Sequence, residues 1–214
     1  MKMFASAVAA LAVPAVSMAG TTIDQSFDFM FPLSPGMVTM EFDQFDDMGG
    51  MRILKEVILT VDATMSADAT AENDSTLAAP SFELQFNGSM LFELLSLGGA
   101  DIANDAFAAA LAPSDGVSGS GPDFNDYGTV SLGLSDGDST TTDLAGFIGA
   151  GTVMGDLESS GGFSFSGTTD ALLGFDNFHL VGKATLTYVY NEIPAPGAAA
   201  LFGLGGLAAS RRRR

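Results

Sequence analysis

The chain contains no cysteine. That excludes a disulfide framework and any thiolate metal site. It leaves the cellular compartment open, because a domain of this size can be stable on its core alone. Histidine is almost as scarce, His179 being the only one. A Ser-His-Asp triad would have to use it, and it sits in the expected strand Asn177 to Val181. A lone strand histidine reads as structural, and no histidine pair exists for zinc. Cations are the third shortage: 8 Lys+Arg stand against 26 Asp+Glu, a net charge of −18. Five of the eight lie at the ends, Lys2 and Arg211 to Arg214, whereas every acidic residue falls between Asp24 and Glu192. Only Arg52, Lys55 and Lys183 interrupt that acidic span. A surface so acidic repels phosphate backbones, which argues against nucleic acid as a partner. It suits a self-repelling surface protein, or one that collects cations.

Long apolar runs are also missing, and the two short ones lie at the ends. Residues 1–19 have the parts of a secretory signal peptide. Lys2 is the positive start, Phe4 to Val13 is apolar and too short to span a bilayer, and Ser17 and Ala19 are the small residues before a cleavage point at Ala19/Gly20. This predicts recognition by Sec-type export machinery and signal peptidase. At the other end Pro194 and Pro196 break the preceding strand, because proline cannot donate to a sheet ladder. Ala198 to Ala209 carry no charge, and Ser210 precedes Arg211, Arg212, Arg213 and Arg214. As a helix, Ala195 to Ser210 would reach about 24 Å at about 1.5 Å per residue, short of the roughly 30 Å hydrocarbon core. The expectation is transient membrane insertion, with the arginines as a cytoplasmic stop signal.

Between the ends, period-two patterning dominates. Phe27, Phe29 and Phe31 alternate with Asp28 and Met30; Val38, Met40 and Phe42 follow. Val57, Leu59 and Val61, then Phe82, Leu84 and Phe86, then Phe163 and Phe165, then Leu186, Tyr188 and Tyr190 repeat the pattern. Each fits a half-buried strand. Turn-like seams are expected at Met48-Gly49-Gly50, Asn87-Gly88, Gly98-Gly99, Ser135 to Asp138 and Ser160-Gly161-Gly162. One segment departs: Ala103, Phe107, Ala110 and Leu111 recur at helical spacing, which predicts a short helix over Asp101 to Leu111. With no second core and no internal repeat, the fold expected is all-β, an antiparallel β-sandwich or jelly roll with one short helix. The division is 1–19 signal peptide, 20–192 sandwich, 193–214 sorting tail.

Two stretches resemble known families. Pro194-Ala195-Pro196-Gly197, the Ala/Leu/Gly-rich segment and the arginine run resemble the PEP-CTERM sorting signal, with Ala195 where that signal usually has glutamate. The resemblance covers Ile193 to Arg214. It implies an exosortase-like membrane peptidase as partner, and delivery to the cell surface or extracellular matrix. Phe45-Asp46-Asp47-Met48-Gly49-Gly50 leading to Leu54 and Val57, Glu72-Asn73, and the closing run Gly182 to Tyr190 resemble the choice-of-anchor E domain. That likeness implies no activity.

Candidate chemistry in the body is sparse. Asp136 and Asp138, with Asp143 near them in sequence, offer oxygen ligands to calcium, as does Asp46-Asp47. The competing reading is that Asp and Gly build turns there. No other cofactor is expected. Asn73-Asp74-Ser75 and Asn87-Gly88-Ser89 match the glycosylation sequon. The residues point to a non-enzymatic structural or interaction protein. The alternative is a surface module that binds calcium or extracellular polysaccharide, as jelly rolls often do.

Overall fold

A computed structural model of the protein describes residues 20–33 and 36–193. The signal peptide, Ala19 of its cleavage point, Pro194 to Gly197 and Arg211 to Arg214 lie outside the described residues. Eight strands follow in order: β1 Thr21–Pro32, β2 Gly36–Asp43, β3 Arg52–Asn73, β4 Ala79–Leu94, β5 Leu97–Leu111, β6 Phe124–Thr140, β7 Thr152–Ser166 and β8 Ala171–Glu192. A 3-10 turn, Leu144–Phe147, lies between β6 and β7.

The alternation read from the sequence sets which side each residue faces. Phe29 and Phe31, Met40 and Phe42, Val57, Leu59 and Val61, Phe82, Leu84 and Phe86, and Leu186, Tyr188 and Tyr190 are all buried. Their strand neighbours Asp28, Met30, Glu41, Thr60 and Gln85 face solvent. Each fully buried Phe side chain contributes roughly 1.5–3 kcal/mol relative to exposure.

The strands pair as nested hairpins, all antiparallel: β1 with β8, β2 with β7, β3 with β6, β4 with β5. Lateral pairing of β3 with β8 and β4 with β7 gathers them into two four-stranded sheets, β1-β8-β3-β6 and β2-β7-β4-β5. This is an eight-stranded jelly roll. Aromatic rings join the sheets across the core. Phe163 of β7 stacks between Phe86 of β4, at 4.4 Å, and Phe175 of β8, at 3.8 Å.

The sheet edges meet in pairs, and side chains close them. Gln25 of β1 donates to Asp43 O of β2 at 2.9 Å and accepts from Asp43 N at 2.7 Å, copying a ladder rung. On the other side, Asp138 Oδ2 accepts from Gly98 N, Asp136 Oδ2 from Ala100 N and Asp101 Oδ2 from Ser135 N, at 2.8–3.1 Å. These carboxylates staple β5 to β6 and occupy N–H groups that an open edge would offer to another chain.

The structure corrects several expectations. Asp101 to Leu111 is not a helix but most of β5, hydrogen-bonded to β4 from Leu97 opposite Leu94 to Leu111 opposite Ala79. The long ladder offered by β4 overrides the helix preference of an alanine-rich stretch. Among the expected seams only Met48-Gly49-Gly50 is a turn, with all three residues at positive φ. Gly88 and Gly161 are paired inside strands. A Cβ on either would stand within 2.8 Å of Met65 Sδ, so the pair makes the hollow that the buried Met65 fills.

Candidate functional site

The outer face of the β1-β8-β3-β6 sheet carries a groove of about 770 Å³, made by two backbone irregularities on either side of β3. On β8 the pairing slips between Ser66 and Asp68, where Asn177 adopts a left-handed conformation with φ +54. On β6 it slips next to Gly128, φ +63. Bulges of this kind re-aim side chains. Here they bring Thr129 and Asn177 onto the carboxylate of Asp68 from opposite sides.

Thr129 Oγ1 donates to Asp68 Oδ1, and Asn177 Nδ2 donates to Asp68 Oδ2, both at 2.6 Å. The Thr129 bond and then the Asn177 bond hold the Asp68 carboxyl below the usual aspartate range against the opposing effect of burial, and the charge of nearby His179 adds a lesser lowering. The group is therefore an ionised acceptor and not a proton donor at neutral pH. His179 Nδ1 bonds Asn177 O, which can only accept, so that nitrogen carries the proton. Met30, Phe31 and Pro32 of β1 form the apolar side of the groove. His179 therefore belongs to a polar cluster on the surface, a placement that rests on the bulge and left no trace in the sequence pattern.

The residues singled out for calcium are placed otherwise. Asp136 and Asp138 lie inside β6, opposite Val61 and Leu59. Each carboxylate already accepts two backbone N–H bonds, Asp136 from Gly137 and Ala100, Asp138 from Ser139 and Gly98. Asp143 stands beyond the strand end, before the 3-10 turn, at φ +53. Among the described residues no group of three or more His, Asp or Glu side chains is arranged to hold a metal ion. Asp46 and Asp47 accept from Met48 N and Gly49 N and so build the β2–β3 turn. The same β6 segment reads Gly133-Leu134-Ser135-Asp136-Gly137, the spacing of a hydrolase nucleophile elbow. It is extended strand and not a strand-to-helix turn, and Ser135 Oγ donates to Asp62 at 2.6 Å.

Asn73 is fully buried at the end of β3. Its Nδ2 donates to Leu77 O and Ala112 O, at 2.9 and 2.7 Å, and its Oδ1 accepts from Thr168 Oγ1 and Ser75 N, at 2.8 and 3.3 Å. It therefore ties together the loops that follow β3, β5 and β7. With Nδ2 so engaged it is no glycosylation acceptor in the folded protein, whereas Asn87 is exposed on β4.

Eight antiparallel strands paired as nested hairpins, with a bulge-built polar groove on one outer face, define this chain as a jelly-roll domain. No family model matches it, and neither does any curated protein. Among solved structures it is similar to a chain of the infectious bursal disease virus Gx strain, at 10% identity and TM-score 0.22, over 90% of this chain and 47% of that one. Desmodium yellow mottle tymovirus gives 9% identity and TM-score 0.22, over 91% and 96% of the two chains. The bursal disease virus Gt strain gives 10% and 0.22, over 97% and 55%. This chain thus spans about half the length of the bursal disease virus chains. Scores this low carry no argument, and the architecture rests on the strand pairing itself.

Proposed function

We propose that this chain is an exported structural or interaction protein of the cell surface or extracellular matrix, and not an enzyme. One observation supports it most: the carboxylates that dominate the sequence are engaged in architecture. They staple edges at Asp101, Asp136 and Asp138, build a turn at Asp46 and Asp47, and at Asp68 tie β6 and β8 to β3 through one hydrogen bond on each oxygen. The signal-peptide pattern and the three-part tail add the route. Sec-type machinery and signal peptidase deliver the chain, the tail inserts transiently in the inner membrane, and an exosortase-like peptidase releases it near Pro194 to Gly197.

The tail is the part to test. Replacing Arg211 to Arg214 with serine removes the charges that stall export, so the tail slips through and an unprocessed protein is released. Replacing Pro194 and Pro196 with alanine preserves insertion but reduces cleavage, because alanine lacks proline's bias against continuing a helix or strand. Normal processing of both variants would overturn the route. A second reading, binding of extracellular polysaccharide, is favoured by the groove, which sets an ionised carboxylate and an amide beside the exposed Met30. It predicts retention on a polysaccharide column that Asp68→Ala abolishes; equal retention of the variant would dismiss it.

A further inference from the structure

The loop from Ala112 to Asp123 joins β5 to β6 and holds two carboxylates that converge. Asp123 is fully buried, one residue before β6. Its Oδ2 accepts from Asp115 N at 2.8 Å, but its Oδ1 is buried without any hydrogen-bond partner among the described residues. Asp115 is exposed, and its Oδ1 accepts from Val117 N at 2.8 Å. Its Oδ2 shares a small space with Asp123 Oδ1. A Cβ built on Gly121 would collide with Asp115 Oδ2 and stand 2.9 Å from Asp123 Oδ1. Gly121 has φ +103, so both its conformation and the space beside it exclude a larger residue.

A carboxylate oxygen shielded from water with no donor is costly, and a second carboxylate oxygen facing it adds repulsion. A hard cation between the two relieves both costs at once. We propose that Asp115 Oδ2 and Asp123 Oδ1 are ligands of a calcium ion bound by this loop. All the candidate donors are oxygens, and the glycine-rich loop can supply further carbonyl oxygens with waters, which suits the flexible coordination of calcium better than the strict octahedron of magnesium. Glu72, itself buried, pins the loop from β3 by accepting from Gly119 N at 2.9 Å and Ser118 Oγ at 3.3 Å. With two carboxylates in the site, its affinity belongs with extracellular modules, about 10⁻⁴–10⁻³ M. The proposal does not depend on where the chain resides.

The test uses the full chain and calcium chloride, against magnesium chloride and sodium chloride at equal ionic strength. At about 10 mM calcium, roughly twenty times a Kd near 0.5 mM, preferential binding to the native state raises Tm by about 4–7 °C. Asp115→Asn, which retains an oxygen for Val117 N, loses that rise, and Asp138→Asn keeps it. Amide NMR supplies a second readout on the unmutated chain: saturable shifts confined to residues 112–123. No calcium-specific rise in Tm, a rise retained in Asp115→Asn, or unsaturable shifts spread over the acidic surface would each overturn the proposal.

Discussion

At the scale of single residues, three side chains carry distinct predictions. Asn73 answers four hydrogen-bonding groups from a buried position, so Asn73→Ala strands carbonyls and an amide that water cannot easily reach. The variant should lose about 2–4 kcal/mol in urea unfolding; a loss below about 0.5 kcal/mol would contradict its role as a tie. The folded pKa of Asp68 is lowered by Thr129, Asn177 and His179. Its contribution to stability is therefore fully present above the ordinary aspartate pKa and lost as pH falls through the lower folded value. Carboxyl NMR should show Asp68 titrating below the ordinary aspartate value, and Thr129→Val should move it upward. Tyr188 behaves in the opposite sense. Burial, then the negative charge of Asp43, pushes its hydroxyl up to about 12. Protonated Tyr188 stabilises the fold below about pH 10, the ordinary tyrosine value, and that contribution is lost as pH rises toward the folded value. Absorbance titration of the phenols should show a last step, at about 12, that Tyr188→Phe removes while the step of Tyr127, also raised by burial, stays in place.

At the scale of elements, the edge staples give the sharpest test. Asp136→Ala with Asp138→Ala frees the N–H groups of Ala100 and Gly98 on β5. This should cost about 1–3 kcal/mol and increase self-association, read by denaturant unfolding and sedimentation. Unchanged stability and a monomeric variant would show that the staples are idle. The elements also show what the sequence could convey. β1, β2 and β8, with Val57 to Val61 of β3, Phe82 to Phe86 of β4 and Phe163 to Phe165 of β7, were legible because their inward residues are large, whereas the turns expected at Asn87-Gly88 and Ser160 to Gly162 cut β4 and β7 short. β5 was not, because the inward row Leu97, Gly99, Asp101, Ala103 carries small and acidic residues, an edge-strand composition that mimics helix. β6 hid behind Asp136-Gly137-Asp138, which reads as a turn until a second edge strand is there to be capped. Glycines at Gly88 and Gly161 misled for a similar reason: their purpose is room for Met65, a contact between sheets. The groove around Asp68 depends on two register slips, and the Asp115–Asp123 pair on loop closure; neither leaves a periodic signal.

At the scale of the whole molecule, the jelly roll closes both pairs of sheet edges and leaves its carboxylates, Glu72 and Asp123 excepted, at the surface, where like charge keeps copies apart. Export to the cell surface is the proposed function's central claim. Fractionation of the native host with intact-mass measurement tests that directly. The account predicts surface or matrix material that begins at Gly20 and lacks Arg211 to Arg214. A chain retained in the cytoplasm with Met1, or surface material that mostly keeps Arg214, would contradict it.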